Sequence, residues 1–282
     1  MEIIFDHVGL KINQNTPLEK TIIQDISFEI YKNGIYSFVG PSNSGKTAIA
    51  DIINALIAPT SGKAHIAGKI NDGRRIKNVN EFRLETGYVF KNPYDMFFNK
   101  TVEDEIKFGI KYFKYRTKKK KVQMRIQDAL TLVGLDESYL KINPQILNLV
   151  DAKKVALACV LAYNPSIIIL DEYTNGLSSK DKTEVARMLR TLKNNYNKTI
   201  ILLTKDTSFA HQVSDEVYLL YLTKMIAKGD RSILRDSQVL ERLGLEVPPI
   251  VKFVEICNKK GHDINYYVNI QDLIKGVYND VF

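Results

Sequence analysis

Eight consecutive residues, Gly40-Pro41-Ser42-Asn43-Ser44-Gly45-Lys46-Thr47, follow the spacing G-x-x-x-x-G-K-[ST]. A loop of this kind turns backbone N–H groups and a helix N-terminus toward phosphate oxygens, which makes a site for a nucleoside triphosphate such as ATP. Lys46 would reach the β and γ phosphates, and the Thr47 hydroxyl is a ligand for Mg²⁺. A second stretch, Ser166-Ile167-Ile168-Ile169-Leu170-Asp171-Glu172, is an apolar run ending in two carboxylates. Asp171 is the candidate to hold Mg²⁺ through water, and Glu172 the candidate general base for an attacking water.

Each stretch has a blander reading: a chance glycine turn at the first, an N-cap pair opening the next helix at the second. Context weighs against both. Gly34 to Val39 reads as a short buried strand, Gly40 breaks it, and Lys46 to Ile57 reads as a helix, the order that phosphate binding requires. The carboxylate pair ends a run of β-branched residues downstream of that loop, where strand ends face a nucleotide crevice.

The elements that must position these groups follow from periodicity. Ile3 to Val8 and Thr21 to Ile30 alternate like half-buried strands, and Gly68 to Gly73 marks a hairpin region. Thr101 to Leu132 has helical spacing with Glu103, Asp104 and Glu105 in its first turn, where the helix dipole favours them. Ala152 to Leu161 and Lys180 to Asn194 are further helices, and Thr199 to Leu203 repeats the buried-strand signal. Such alternation predicts an α/β fold with a mainly parallel sheet. Beyond Gly229 strand signals fade, and a helical appendage is expected from about Arg231, broken at Val247-Pro248-Pro249.

With 282 residues, 45% of them hydrophobic, the chain can bury a substantial core. The net charge of +8 sits largely in Lys118 to Lys121 and in Lys259-Lys260, runs that read as solvated faces, and no nucleic-acid partner is expected. Basic and aromatic residues interleave only weakly, at Lys111-Tyr112-Phe113-Lys114-Tyr115-Arg116. Cys159 and Cys257 are too few for a disulfide framework and suit a reducing compartment. The N-terminus lacks a secretory pattern, and the longest apolar runs fall short of the roughly 20 residues of a membrane-spanning helix, so a cytosolic protein is expected, any membrane association being peripheral or through a partner. His7, His65, His211 and His262 show no metal-ligand spacing.

Residues 1–230 resemble the ABC transporter ATPase family, and most nearly its energy-coupling-factor (ECF) importers. Gly87-Tyr88-Val89-Phe90-Lys91-Asn92-Pro93 looks like the family's Q-loop, Thr101 to Gly109 follows it as in that subfamily, and Leu243 to Pro249 resembles its C-terminal extension. The resemblance implies a P-loop NTPase core with an antiparallel β N-terminal region, a helical subdomain over about 92–162 and a helical C-terminal extension, 231–282, as a dimerisation element. It also implies ATP hydrolysis coupled to uptake of a vitamin or metal ion. The implied partners are a second ABC ATPase and a transmembrane coupling subunit, with this chain peripheral on the cytoplasmic face of the cell membrane.

Departures from the family pattern are as informative as the matches. Lys91 stands where the Q-loop glutamine is expected, and Lys205 where the switch histidine is expected; both are counted among the nucleotide-facing residues. The signature LSGGQ is replaced by Leu147-Asn148-Leu149-Val150-Asp151, which adds side chains where backbone must approach a phosphate. Ser178 replaces the D-loop aspartate, Tyr173 a proline, Asn43 a P-loop glycine, and Ile12 the aromatic that stacks on adenine. These changes predict nucleotide binding with slow or absent turnover. A catalytically retired subunit with a structural or regulatory role is the alternative; an ABC protein acting on DNA or ribosomes would need a second cassette or a coiled-coil insertion.

Overall fold

The computed structural model describes residues 1–74, 78–113 and 118–281, with side chains to 277. Lys114, Tyr115 and Arg116 of the basic-aromatic stretch lie outside the described residues. In chain order the strands are β1 (Ile3–Ile12), β2 (Lys20–Ile30), β3 (Ile35–Val39), β4 (Ser61–Ile66), β5 (Lys69–Asn71), β6 (Thr86–Val89), β7 (Ile167–Asp171), β8 (Thr199–Thr204), β9 (Glu216–Tyr221) and β10 (Lys224–Gly229). The helices are α1 (Lys46–Ile53), α2 (Val79–Glu85), α3 (Val102–Phe113), α4 (Lys119–Leu132), α5 (Leu149–Tyr163), α6 (Ser179–Tyr196), α7 (Thr207–Val213), α8 (Ser237–Arg242), α9 (Pro249–Lys259) and α10 (Ile270–Val281).

The strands form two sheets. A four-stranded antiparallel sheet runs β2-β1-β4-β5, and a six-stranded sheet runs β10-β9-β3-β8-β7-β6, parallel except for β10 at its edge. Every residue of β3, β6, β7 and β8 is buried, as expected of parallel strands covered on both faces. β1 keeps alternation only as far as its bulge. His7 adopts φ 50°, the register shifts between Phe5 and Val8, and both apolar side chains end up inside.

One core lies between the two sheets. There Phe5 stacks on Phe28 at 4.4 Å, Phe28 meets Phe38 edge-on at 5.1 Å, and Phe38 stacks on Tyr218 at 4.7 Å, so aromatic rings bridge the sheets without a break. A second core joins α3, α4, α5 and α6 to the other face of the parallel sheet through Ile168, Leu170, Ile200 and Leu202. The tail shares a third, in which Leu234, Leu240, Leu245 and Val251 cover Val39, Ala210 and Leu219.

Two helices differ from the sequence reading. α1 stops at Ile53 rather than Ile57, because Ala55 turns into the left-handed region at φ 53° and side-chain amides intervene. Asn71 Nδ2 donates to the carbonyls of Ile52 and Ile57, and Asn54 Nδ2 donates to Thr86, so these polar groups are satisfied without further helix. The long helical span 101–132 is divided between α3 and α4.

His211, on α7, is 1% exposed, and its Nε2 has no hydrogen-bond partner among the described residues. Burial, reinforced by the nearby charges of Arg235 and Arg231, pulls its pKa down to about 4. The folded state therefore binds this proton less readily than the unfolded chain, and the stability contributed by the neutral ring is complete above about 6.5 and is lost as pH falls through about 4. In urea titrations between pH 7 and 4.5, His211→Leu should lose less stability on acidification than the unmodified chain; parallel curves would disprove the assignment.

Candidate functional site

The loop between β3 and α1 is shaped by positions that tolerate little else. A Cβ on Gly40 would lie 2.4 Å from the Leu220 carbonyl oxygen, and Gly45 holds φ 97° with its would-be Cβ 2.9 Å from the Ile22 oxygen. Asn43, which replaces a glycine, sits at φ 63°, a conformation that asparagine adopts more readily than most residues. Gly45 caps α1 without a side-chain bond, and no acidic residue occupies the first turn, so the helix N-terminus offers its N–H groups to an anion.

Lys46 is buried, and its Nζ donates to the carbonyls of Gly40 at 2.6 Å and Pro41 at 2.7 Å, 3.7 Å from Glu172 Oε1. Burial lowers its pKa, against the opposing pull of the Glu172 and Asp171 carboxylates. Parallel pairing of β7 with β8, and of β8 with β3, carries Asp171 to the same end of the sheet as the loop. Its Oδ2 accepts from the Thr47 hydroxyl at 2.8 Å and from the Tyr88 hydroxyl at 3.3 Å. Burial raises the Asp171 pKa, and the bonds from Thr47 and Tyr88 counter it.

Glu172 leaves the strand at φ 45°, with its N–H on the Leu203 oxygen at 2.8 Å. Two cavities open beside these groups and share Thr47, Lys91 and Asp171. The smaller, about 260 Å³, is lined by Ser42, Asn43, Gly45, Lys46 and Glu172; the larger, about 660 Å³, by Asp51, Tyr88 and Leu149. Ser44 Oγ and Asp171 Oδ1 are buried with no partner among the described residues. A hydroxyl donor in the loop and a carboxylate oxygen beside Thr47 are the complements of a phosphate and a cation, so the donor set fits a nucleotide triphosphate with Mg²⁺.

The sequence candidates are thus largely together. Lys91 is exposed yet lines both cavities, and its charge acts on Lys46 and Asp171. Lys205 approaches through its main chain: its N–H lies 3.4 Å from Glu172 Oε2 while the residue is exposed. Ile12 is exposed at the end of β1 and lines neither cavity. Asp51 and Tyr88 had no assigned role. Asp51 follows Thr47 by one helical turn, a spacing that puts both on one face of α1, and burial together with the Asp171 charge pushes its pKa up to about 6.

The segment 147–151 is closed by its own side chains. Asn148 caps α5, its Oδ1 accepting from the Asp151 N–H at 3.0 Å and its Nδ2 donating to Asp151 Oδ2 at 2.8 Å. Tyr139 OH donates to the same Oδ2 at 3.0 Å. Leu149 lies against Gly176, where a Cβ would meet Leu149 Cδ2 at 2.7 Å, although both residues are exposed. Ser178 forms a capping box with Asp181 that starts α6.

The model of the family described as ABC transporter matches residues 23–175, which span the loop, Asp171 and Glu172. The chain belongs to the ABC transporter family. Among its relatives are energy-coupling factor transporter ATP-binding proteins: EcfA2 of Enterococcus faecalis is 33% identical over 93% of this chain and 90% of its own length. EcfA2 of Clostridium tetani is 32% identical, covering 94% and 92% of the two chains. EcfA3 of Oenococcus oeni is 29% identical, covering 98% and 96%. An ABC cassette solved as a post-hydrolysis dimer bound to ADP and Pi shares the fold at a TM-score of 0.75 and 22% identity, covering 81% of this chain and 98% of that one. CbiO1 from Clostridium perfringens, described as part of the ABC transporter complex cbiONQ, also aligns at 0.75, with 23% identity over 90% and 98%. The α/β P-loop architecture expected from the sequence is therefore the ABC cassette fold.

In this ABC cassette the Tyr88 bond is testable in isolation. Tyr88→Phe should cost about 1 kcal/mol, seen as a fall of roughly 2–4 °C in the melting midpoint, because a buried carboxylate loses one donor and keeps Thr47. An unchanged midpoint would mean that the bond contributes nothing.

Proposed function

We propose that this chain binds ATP with Mg²⁺ at the loop 40–47 and acts as one ATPase subunit of an ECF-type importer for a vitamin or metal ion. The observation that carries this reading is the convergence of Lys46, Thr47, Asp171 and Glu172 on two adjoining cavities beside Ser44 Oγ and Asp171 Oδ1, which have no partner among the described residues. Gly40, Pro41, Ser42, Asn43, Ser44 and Gly45 form the cradle, and Lys46 neutralises phosphate charge when it leaves the carbonyls of Gly40 and Pro41. Thr47 and Asp171 are the residues to hold Mg²⁺, which when bound supplies positive charge against the phosphate oxygens. Glu172 is the group to orient and deprotonate water, and Lys91 adds positive charge at the mouth of both cavities.

The relatives' names support an ATP-binding role within an energy-coupling transporter, and the membership of the Clostridium perfringens neighbour in a larger complex supports assembly. The partners proposed are a second ABC ATPase and a transmembrane coupling subunit. Among the described residues no helix is long and apolar enough to cross a membrane, in keeping with peripheral attachment through that subunit. Residues 1–230 would form the nucleotide-binding domain, with 92–162 as its helical subdomain, and 231–282 a dimerisation element. Support for the last comes from exposed Phe253, Ile256, Ile270 and Ile274, whereas Val254 packs internally with Ile264 and Leu273.

A second reading is favoured by one observation, the self-capped α5. A helix start whose donors and approach are taken by Asn148, Asp151 and Leu149 is poorly suited to receive a phosphate from a partner's site, and a subunit so built would hold nucleotide for structural or regulatory ends. Slow turnover is expected under either reading, since loss of one preorganised group commonly lowers rates about 100-fold.

Equilibrium binding of ATP to the full chain should weaken at least about 100-fold in Lys46→Ala; unaltered affinity would sink the proposal. In an assembly with an intact partner ATPase, the combined changes Asn148→Ser, Leu149→Gly, Val150→Gly and Asp151→Gln should raise steady-state hydrolysis about tenfold or more, and Glu172→Gln should abolish the share due to this chain's own site. No gain from the restored segment would remove its sequence as the brake on turnover.

A further inference from the structure

The turn that follows β7 is held from beneath by a lysine to which neither the sequence pattern nor the family match gives a role. Lys153, on the second turn of α5, is 2% exposed. Its Nζ donates to the carbonyl of Tyr173 at 2.6 Å and of Asn175 at 2.5 Å, and lies 3.5 Å from that of Glu172. Its ion-pair partner is no carboxylate among the described residues; the ammonium instead spends its three donors on converging carbonyl dipoles. Tyr173 returns the contact, its hydroxyl donating to the Lys153 carbonyl at 3.1 Å. Burial brings the lysine's pKa down to about 8, with the Glu172 carboxylate acting in the opposite direction.

Those carbonyls need an explanation. Glu172 occupies the left-handed region, where a non-glycine residue is held only by its surroundings, and the reversal that follows turns the oxygens of Tyr173 and Asn175 inward. Without a donor the Tyr173 oxygen would be buried and unpaired, and that of Asn175 only partly solvated. The same turn carries the Glu172 carboxylate to Lys46 and places Gly176 under Leu149.

We propose that Lys153 is a positioning residue that fixes the turn Glu172–Asn175, and through it both the Glu172 carboxylate and the contact between this turn and the start of α5. Its hydrogen bonds among the described residues go to the main chain of the turn and none to the loop 40–47, although its side chain also lines the larger cavity beside Asp171 and Asn175. Its effect on turnover rests on the ATPase reading above; its hold on the turn does not.

The test uses the full-length chain as Lys153→Met, which keeps length and removes every donor, and Lys153→Gln, which returns two N–H groups. Amide hydrogen exchange over 172–177 should accelerate about tenfold or more in Lys153→Met, with β3 and β8 changing far less, and Lys153→Gln should recover part of the loss. In the assembly with a partner ATPase, kcat should fall about tenfold or more. Unchanged exchange at 172–177 in Lys153→Met, or equal acceleration across the whole chain, overturns the proposal. Should Lys153→Met fail to fold, Lys153→Gln decides by the same comparison: faster exchange confined to the turn supports the clamp, and none overturns it. An unmodified assembly that hydrolyses nothing counts against the motor, whereas the exchange result still decides the role of Lys153.

Discussion

A parallel sheet covered on both faces leaves only its strand ends for chemistry. Along β3, β7 and β8 every side chain is buried, so polar groups can emerge only where the backbone leaves the ladder. Parallel pairing sets those exits side by side. The loop after β3, the carboxylates at the end of β7 and the turn after β8 therefore meet although they are far apart in sequence, and the Thr47 to Asp171 bond spans 124 positions of chain. At that end of the molecule Ser44 Oγ and Asp171 Oδ1 are buried with no partner among the described residues, as groups kept for a ligand would be.

What the sequence made legible was local. The G-x-x-x-x-G-K-T spacing and an apolar run ending in Asp171-Glu172 are complete within a few residues, and their context of strand and helix can be read from periodicity. Asp51 was within reach, since it stands one helical turn from Thr47, but a lone acidic residue on a helix gives no sign of the strand it faces. Tyr88 and Lys153 depend on strand order and helix packing, and neither leaves a trace in spacing. Lys205 shows the converse: its residue type points to a side-chain role, whereas its backbone N–H is what meets Glu172. The early end of α1 follows from amides of Asn54 and Asn71 finding partners 32 and 14 residues away, information no window along the chain contains.

The altered residues of the signature segment act as a set. Asn148 and Asp151 satisfy one another and Tyr139, while Leu149 lies against Gly176. At this exposed helix start the replaced residues bond to one another and to Tyr139 within the chain. Ser178 and Tyr173 fit the same description, each occupied by a specific bond within this chain.

The aromatic column between the sheets bears on how the molecule can deform. Phe5, Phe28, Phe38 and Tyr218 interlock from the antiparallel sheet to the middle of the parallel one, and close-packed rings resist shear. The two sheets are thereby coupled through one shared core. The segment joining β7 to α6 and the start of α5 meet this packed unit only through turns and a helix end, and there the contacts come from single side chains, Lys153 on the carbonyls of Tyr173 and Asn175 and Leu149 on Gly176.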